Sequence, residues 1–347
     1  MKVGILTSGG DCPGLNAVLR AIVRKGMEYK FDCIGILNGW QGIFDEKYLH
    51  LGSKEVSGII ARGGTILGTS RFSPFTVEGG KETLMKKIYK ADFDAIIAIG
   101  GEGSMHVAQL AYEAGVHIVG VPKTIDNDIY GTDFTFGFDT AVSIATEAVD
   151  RLHTTAESHH RVMVLEVMGR HAGWIAVYSG IAGGADAVLI PEYHVSIDEV
   201  VDVIKNRYTK GKLFSIIVVA EGATYIEDEI KAIKYDKKEF EKKDDFGRNR
   251  LGGIGYLLAE EIEARSGFET RATILGYVQR GGIPTAFDRM LGTRYGVYAM
   301  EMVHDKKFGR MAAIHSTQLT DIPITKAISK LKTVDEETYK IAKVFFR

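Results

Sequence analysis

Residues 94–111 read "DAIIAIGGEGSMHVAQLA". Asp94 to Gly100 is an unbroken apolar run closed by glycine. Val107, Leu110, Ala111 and, just beyond, Ala114 then recur at helical spacing. A buried strand therefore runs into a glycine turn and leaves it as a helix. The same reading applies to "VGILTS" (3–8), which is followed by Leu15, Val18, Leu19, Ile22 and Val23 on one helical face. Further runs follow: "HIVGVP" (117–122), "RVMVLEVMG" (161–169), "DAVLIPE" (186–192), "FSIIVVAEG" (214–222) and "TRATILGYV" (270–278). They are continuous rather than alternating, as in strands covered on both faces of a mostly parallel sheet. "FDTAVSIATEAVDRL" (138–152) reads as a helix, and Ser196 with Glu199 forms a capping-box pattern that opens another.

The runs are too many for one compact unit. The fold class expected is α/β, with two three-layer αβα domains, mostly parallel sheets and a seam near Gly137–Thr140. The 347 residues suit two medium domains, and 45% hydrophobic residues allow a substantial core. A net charge of −2 gives no global basic field for nucleic acid. The two cysteines, Cys12 and Cys33, lack any CxxC or metal spacing and read as free thiols. "MKVGILTSGG" reads as a strand rather than a signal peptide, and no run of about 18 apolar residues occurs. A soluble cytoplasmic protein without membrane or nucleic-acid partners is expected. Tyr225–Asn249 is strongly charged and reads as a surface excursion; the stretch from Thr325 to Arg347 reads as helical and charged.

Ligands of open α/β sheets sit beyond the carboxyl ends of the strands, and four constellations fall there. "TSGGDCPGLNA" (7–17) carries Gly9, Gly10, Asp11 and Gly14 ahead of a helix. It is either an anion-binding turn or a glycine turn with no ligand. "GGEGS" (100–104) repeats that arrangement with Glu102 beside the anion position. A bare carboxylate would repel phosphate, so either a divalent cation lies between them or Glu102 is a solvated turn residue. "PKTIDND" (122–128) brings Asp126 and Asp128 close together. They either divide the work, one accepting a hydroxyl proton while the other places a metal or orients the first, or form an acidic turn. Lys123 adds positive charge. Arg71, Arg161, Arg170, Arg271 and Arg280 stand in turns or at strand ends, as phosphate forks or solvated side chains. His159 and His160 read as loop histidines, with a catalytic histidine as the alternative.

These motifs in this order, together with "GGTILGTSRF" (63–72), "SHHRVMVLEVMGRHAG" (158–173), "AEG" (220–222) and "GYVQRGGIPTAFDR" (276–289), resemble the phosphofructokinase family over most of the chain. The resemblance implies phosphoryl transfer to the 1-hydroxyl of fructose 6-phosphate, with the active site in a cleft between the domains. It implies a phosphoryl-donor domain from 1–138 plus about 252–304, and a sugar-phosphate domain from 139–251 plus about 305–347. Asp126 resembles the base, supported by Asp128. Thr124 and Arg71 resemble groups beside the transferring phosphate, and Arg170 a transition-state stabiliser. Gly10, Arg71, Phe72, Gly101, Glu102, Gly103 and Ser104 match donor positions, with Glu102 as the metal-associated acid and Mg²⁺ as the metal. Thr124, Asp126, Asp128, Met168, Gly169, Arg170, Glu221, Tyr277 and Arg280 match sugar-phosphate positions; Tyr277 stands where many ATP-using bacterial members carry His. Arg161 and Arg271 resemble arginines that reach a neighbouring subunit's site, which implies a homotetramer with shared active sites. Arg20, Arg24, Lys210 and Lys212 fit the family's effector cluster, but Ser53 and His153 replace arginines and Asp186 a glutamate, so control by ADP or phosphoenolpyruvate is expected to be weak.

Pyrophosphate users of the family tend to carry Asp at Gly103 and Lys at Lys123; typical bacterial ATP users carry Gly at both. The chain is mixed. Asp at 103 would set a carboxylate against the α-phosphate of ATP, whereas Lys123 suits either donor. The pattern resembles ATP users closely related to pyrophosphate enzymes, so ATP is the expected co-substrate. A pyrophosphate-dependent phosphotransferase is the alternative, and a non-catalytic nucleotide and sugar-phosphate sensor is a third reading that the retained Asp126, Asp128, Arg71 and Arg170 disfavour.

Overall fold

A computed structural model of the chain describes residues 1–231 and 252–346. The described elements, in chain order, begin with β1 (Lys2–Thr7), α1 (Leu15–Glu28), β2 (Asp32–Ile36), α2 (Trp40–Phe44) and β3 (Tyr48–His50). Next come α3 (Gly80–Ala91), β4 (Ala95–Gly100), α4 (Glu102–Glu113), β5 (Ile118–Pro122) and α5 (Phe138–His159). Then follow β6 (Val162–Val167), α6 (Trp174–Gly183), β7 (Ala187–Leu189), α7 (Ile197–Thr209), β8 (Ser215–Ala220), α8 (Tyr225–Lys231), α9 (Ile254–Ser266) and β9 (Thr270–Ile274). The series closes with α10 (Ala286–His304), β10 (Arg310–His315), β11 (Gln318–Pro323), α11 (Ile324–Ala327) and α12 (Glu336–Lys343).

The chain divides into two compact units, one of residues 1–140 with 280–332, the other of 141–279 with 333–347. The first holds a seven-stranded sheet in the order β11-β10-β5-β4-β1-β2-β3. Its five inner strands are parallel; β3 and β11 pair antiparallel at the two edges. β1, β4 and β5 are almost wholly buried, as their unbroken apolar sequence requires. α1 lies closely on α10, because a Cβ at Gly296 would stand 2.6 Å from the Val18 carbonyl oxygen and only glycine allows the approach. The second unit holds a four-stranded parallel sheet, β7-β8-β6-β9.

The mostly parallel α/β fold and the capping box agree with the sequence; Ser196 Oγ accepts from the Glu199 amide at 3.2 Å and the Ser196 amide donates back to Glu199 Oε2 at 2.8 Å. Two expectations need correction. The chain returns to the first unit at Arg280 rather than near 252, and leaves it after Lys332 rather than near 304. The cause is strand pairing. β9 aligns with β6, Val162 opposite Thr270, and draws the residues before 280 into the second unit. β10 aligns with β5, Arg310 opposite Val119, and draws residues 305–332 into the first. β9 was also expected to be covered on both faces. It is an edge strand in which only Thr270 is buried and Arg271 and Thr273 face solvent. Of the charged stretch 225–249, residues 225–231 form α8 and the rest lies outside the described residues. Among the described residues no helix is long and apolar enough to cross a membrane.

Candidate active site

In the first unit the carboxyl ends of β1, β4 and β5 each run straight into a glycine- or acid-rich turn. Gly101 caps α4 with no side-chain hydrogen bond, so the helix start offers its backbone N–H groups and the positive end of its dipole. Ser104, buried in the first turn, faces the β1 turn, and its Oγ would lie 3.2 Å from a Cβ on Gly9. The Gly9 amide donates to the Ser70 carbonyl at 3.0 Å and Thr69 Oγ1 donates to the Gly9 carbonyl at 2.6 Å, which sets Arg71 and Phe72 in the turn beside them. The Phe72 ring packs edge-on against Phe44 at 4.9 Å. Lys123 is buried and its ammonium donates to the Gly10 carbonyl oxygen. Burial pushes that ammonium below its ordinary pKa, and the neighbouring Arg280 charge acts in the same direction. A Cβ on Gly10 would stand 2.8 Å from Arg280 Nη1, which also donates to the Asp11 carbonyl at 3.3 Å. Two cations thus converge on the β1 turn.

The turn after β5 carries the acids. The Asp126 amide donates to Thr124 Oγ1 at 3.0 Å, and Asn127 takes a left-handed conformation with φ of 52°. Asn127 Oδ1 accepts from the Thr135 amide at 3.1 Å, and Thr135 Oγ1 donates to the Thr124 carbonyl at 2.8 Å. This cross-bracing fixes the turn that carries the two acids, and the Thr124 side chain hydrogen-bonds the Asp128 carboxyl. Oδ1 of each acid is buried and has no hydrogen-bond partner among the described residues. Burial first, then the Asp126 charge, pushes the Asp128 carboxyl up to about 7; the Glu102 charge adds to the rise. Glu102 pairs with His106 one turn along α4, Oε1 to Nε2 at 3.2 Å. Among the described residues no three His, Cys, Asp or Glu side chains converge to hold a metal ion.

In the second unit Met168, Gly169 and Arg170 follow β6, and Glu221 follows β8. The Arg170 amide donates to Glu221 Oε1 at 3.2 Å, and the Glu221 amide donates to the Val167 carbonyl at 2.8 Å. Gly169 has φ of 142°, and a Cβ there would meet the Ala172 carbonyl oxygen at 2.5 Å, so the turn requires glycine. The Met168 amide donates to Gln279 Oε1 at 3.3 Å, which ties the Tyr277 turn to the end of β6. The Tyr277 side chain is exposed. Arg161 and Arg271 are not brought to this cluster. They lie at the opposite ends of β6 and β9, roughly 20 Å along the strand from Met168 at about 3.3 Å per residue. There they share Glu269, at 2.8 Å from Arg161 Nη2 and 2.6 Å from Arg271 Nη2. Of the residues compared with the family's effector positions, Asp186 pairs with Arg207 Nη1 at 2.7 Å and His153 Nε2 lies 2.8 Å from the Gly183 carbonyl oxygen.

The chain matches the Phosphofructokinase family model over residues 2–303. The chain belongs to the phosphofructokinase family. It is 53% identical to a "Pyrophosphate--fructose 6-phosphate 1-phosphotransferase" of Amycolatopsis mediterranei, over 100% of both chains. It is 49% identical to an "ATP-dependent 6-phosphofructokinase 3" of Streptomyces coelicolor, over 98% of each. Among solved structures it superposes on Saccharomyces cerevisiae phosphofructokinase with a TM-score of 0.80 at 30% identity, covering 99% of this chain and 46% of the yeast chain. The turns that carry Gly10, Glu102, Asp126, Arg170 and Glu221 lie at strand ends, as expected, whereas residues 63–72 form a loop that does not itself follow a strand.

Three residues of this phosphofructokinase that sequence reasoning passed over hold the site in shape. Asn127 sits inside a quoted motif, but its role depends on Thr135 eight residues on. Gln279 is fully buried and reaches the Met168 amide. Asp288 is fully buried and accepts from the Gly137 amide, the Thr140 amide and Thr140 Oγ1 at 2.8, 2.8 and 2.6 Å. The pattern Thr285-x-x-Asp288 was a legible helix-cap signal, since Thr285 Oγ1 accepts from the Asp288 amide at 3.2 Å, but the partners of the carboxylate were not.

Proposed function

We propose that this phosphofructokinase transfers a phosphoryl group from ATP to the 1-hydroxyl of fructose 6-phosphate. The observation that carries the reaction is the buried Asp126 carboxylate with an unpartnered oxygen beside Asp128. A primary alcohol has almost no ionised fraction at neutral pH. A carboxylate already stripped of water and of competing donors accepts its proton as the bond to phosphorus forms, an effect of roughly 10²–10⁴ in rate. Thr124 and Arg71 flank the transferring group, and Arg170 stabilises the charge that builds on it. Gly10, Phe72, Gly101, Gly103 and Ser104 cradle the donor phosphates with the N–H groups that start α4. Met168, Gly169, Glu221, Tyr277 and Arg280 hold the sugar phosphate. One carboxylate, Glu102, suits Mg²⁺, which binds through one or two protein oxygens while phosphates and waters fill the rest. Bound there, the ion would neutralise charge on the donor phosphates.

The donor assignment rests on Gly103. A Cβ added there would meet nothing within 4 Å, so neither packing nor backbone demands glycine. Glycine in a helix costs about 1 kcal/mol relative to alanine, and its value here is the space it leaves for an α-phosphate. A pyrophosphate donor is the second reading, favoured by Lys123 over the β1 turn and by the pyrophosphate-dependent activity for which the Amycolatopsis relative is named. Initial rates with fructose 6-phosphate, Mg²⁺ and either ATP or pyrophosphate decide between them; turnover with pyrophosphate alone overturns the ATP assignment. Asp126→Asn is expected to lose several orders of magnitude in turnover while still binding fructose 6-phosphate. Unchanged turnover removes Asp126 from the mechanism.

We further propose a homotetramer, in which Arg161 and Arg271 complete the sugar-phosphate site of a neighbouring subunit.

A further inference from the structure

We propose that Lys332 is a positioning residue for the catalytic base, acting as the clamp that holds the 124–135 loop from behind. The inference rests on Asp126 being that base. The last stretch of the first unit runs antiparallel beside the acid turn, with Leu331 bridged to Ile129. The Lys332 amide donates to the Asp128 carbonyl oxygen at 2.8 Å, and its ammonium donates to the Asp133 carbonyl oxygen. Asn127 Nδ2 reaches that same carbonyl at 3.4 Å, and the Asp133 amide is tied to the Ile314 carbonyl of β10 at 2.9 Å. One residue therefore spans the loop, its backbone amide on Asp128 and its side-chain ammonium on Asp133, where the loop joins the sheet. The neighbouring Lys330 ammonium stands 4.5 Å from the Tyr130 ring centroid and extends the contact.

The site needs such a clamp. Asp126 and Asp128 carry buried oxygens with no hydrogen-bond partner of their own, and Asn127 between them holds a left-handed backbone conformation. Two carboxylates close together repel each other, and a loop free to relax would move them apart or toward water. Lys332 is partly buried and faces the Asp133 and Asp128 charges, which offset the burial that pulls its ammonium down to about 8. The positive charge remains on the protein side of the loop, where it favours the conformation that keeps both acids in place without touching substrate. A displacement of about 1 Å at a reacting group costs up to 100-fold in rate.

Lys332→Met in the full chain tests this beside Asp126→Asn. The expected result is a kcat roughly 10- to 100-fold down, with KM for fructose 6-phosphate and for the donor within about twofold, and most of the loss restored in Lys332→Arg. Wild-type kcat in Lys332→Met while Asp126→Asn is inactive overturns the role of Lys332 alone. Wild-type kcat in Asp126→Asn instead overturns the reading on which the proposal rests. A Lys332→Met enzyme that melts early but turns over at the wild-type rate per folded molecule makes the residue merely structural and also overturns the proposal. Should Lys332→Met not fold, Lys332→Gln, which keeps a donor for the Asp133 carbonyl and removes the charge, is read by the same kcat and KM criteria.

Discussion

Gly103 and the Asp126–Asp128 pair show how much of the chemistry sits in single residues. Open space around Gly103 means that Gly103→Asp should fold normally. We predict that it raises KM for ATP about fivefold or more, since a carboxylate set 4 Å from a phosphate charge costs about 1 kcal/mol or more even in a watery site, while any pyrophosphate turnover is spared. Equal losses with both donors would show that the α-phosphate does not pass this position. The acid pair sets a pH limit. Protonation is favoured on Asp128 by burial and by the Asp126 charge, so the pair takes up a proton as pH falls through about 7. In the proposed mechanism the ionised pair is the active form, so kcat/KM should fall on the acid side of neutrality, and Asp128→Asn should move that limb to lower pH in whatever activity remains. A profile flat from pH 8 to pH 5 would remove the pair from proton acceptance.

Elements are held by pins as well as by packing. Asp288, in the first turn of α10, accepts three hydrogen bonds from the start of α5 and the turn before it. Asp288→Ala leaves three donors buried without partners and should cost about 2–4 kcal/mol of unfolding free energy at pH 7, read by denaturant titration. A cost below about 0.5 kcal/mol would mean that water replaces the carboxylate without strain. Burial raises the Asp288 carboxyl to about 6, against the pull of its Thr140 and Gly137 donors. Its folded pKa thus lies above its unfolded value of about 4. The pH-dependent part of its contribution is complete below about pH 4 and is lost as pH rises through about 6, leaving the hydrogen bonds of the ionised carboxylate, so the gap between wild type and Asp288→Ala should widen on acidification. α5, α7 and the central strands were legible because a 3.6-residue apolar period, a capping box or an unbroken apolar run is a local property. β9 was misread because "TRATI" becomes an edge strand only through pairing on one side, with β6, among the described residues. β10 and β11 passed unread because polar and charged residues flank or interrupt "RMAAIH" and "QLTDIP", and their hairpin is tied to the sheet where β10 joins β5.

At the scale of the molecule, Arg161 and Arg271 stand a strand's length from the Met168–Arg170 turn of their own sheet, which is a poor position for serving their own site. Sedimentation equilibrium is expected to give the mass of four chains, and Arg161→Ala is expected to raise KM for fructose 6-phosphate about tenfold or more, the usual scale for a charge-assisted phosphate contact. A monomer with full activity would assign both arginines to Glu269 alone. The sequence by itself determined the α/β class, the seam beside Thr140, the family and the turns that carry Gly10, Glu102, Asp126, Arg170 and Glu221. Each of these depends on a contiguous stretch whose chemistry does not need distant residues. Only the tertiary structure decided where the chain recrosses, at Arg280 and Lys332, because strands of the two sheets are alike in composition and differ only in which neighbour they pair with. It alone decided that Asn127, Gln279, Asp288 and Lys332 brace the site. Their bracing partners Thr135, Met168, Gly137 and Asp128 lie from 8 to more than 150 residues away, and a buried polar group is satisfied by whatever the fold brings to it, however remote in sequence.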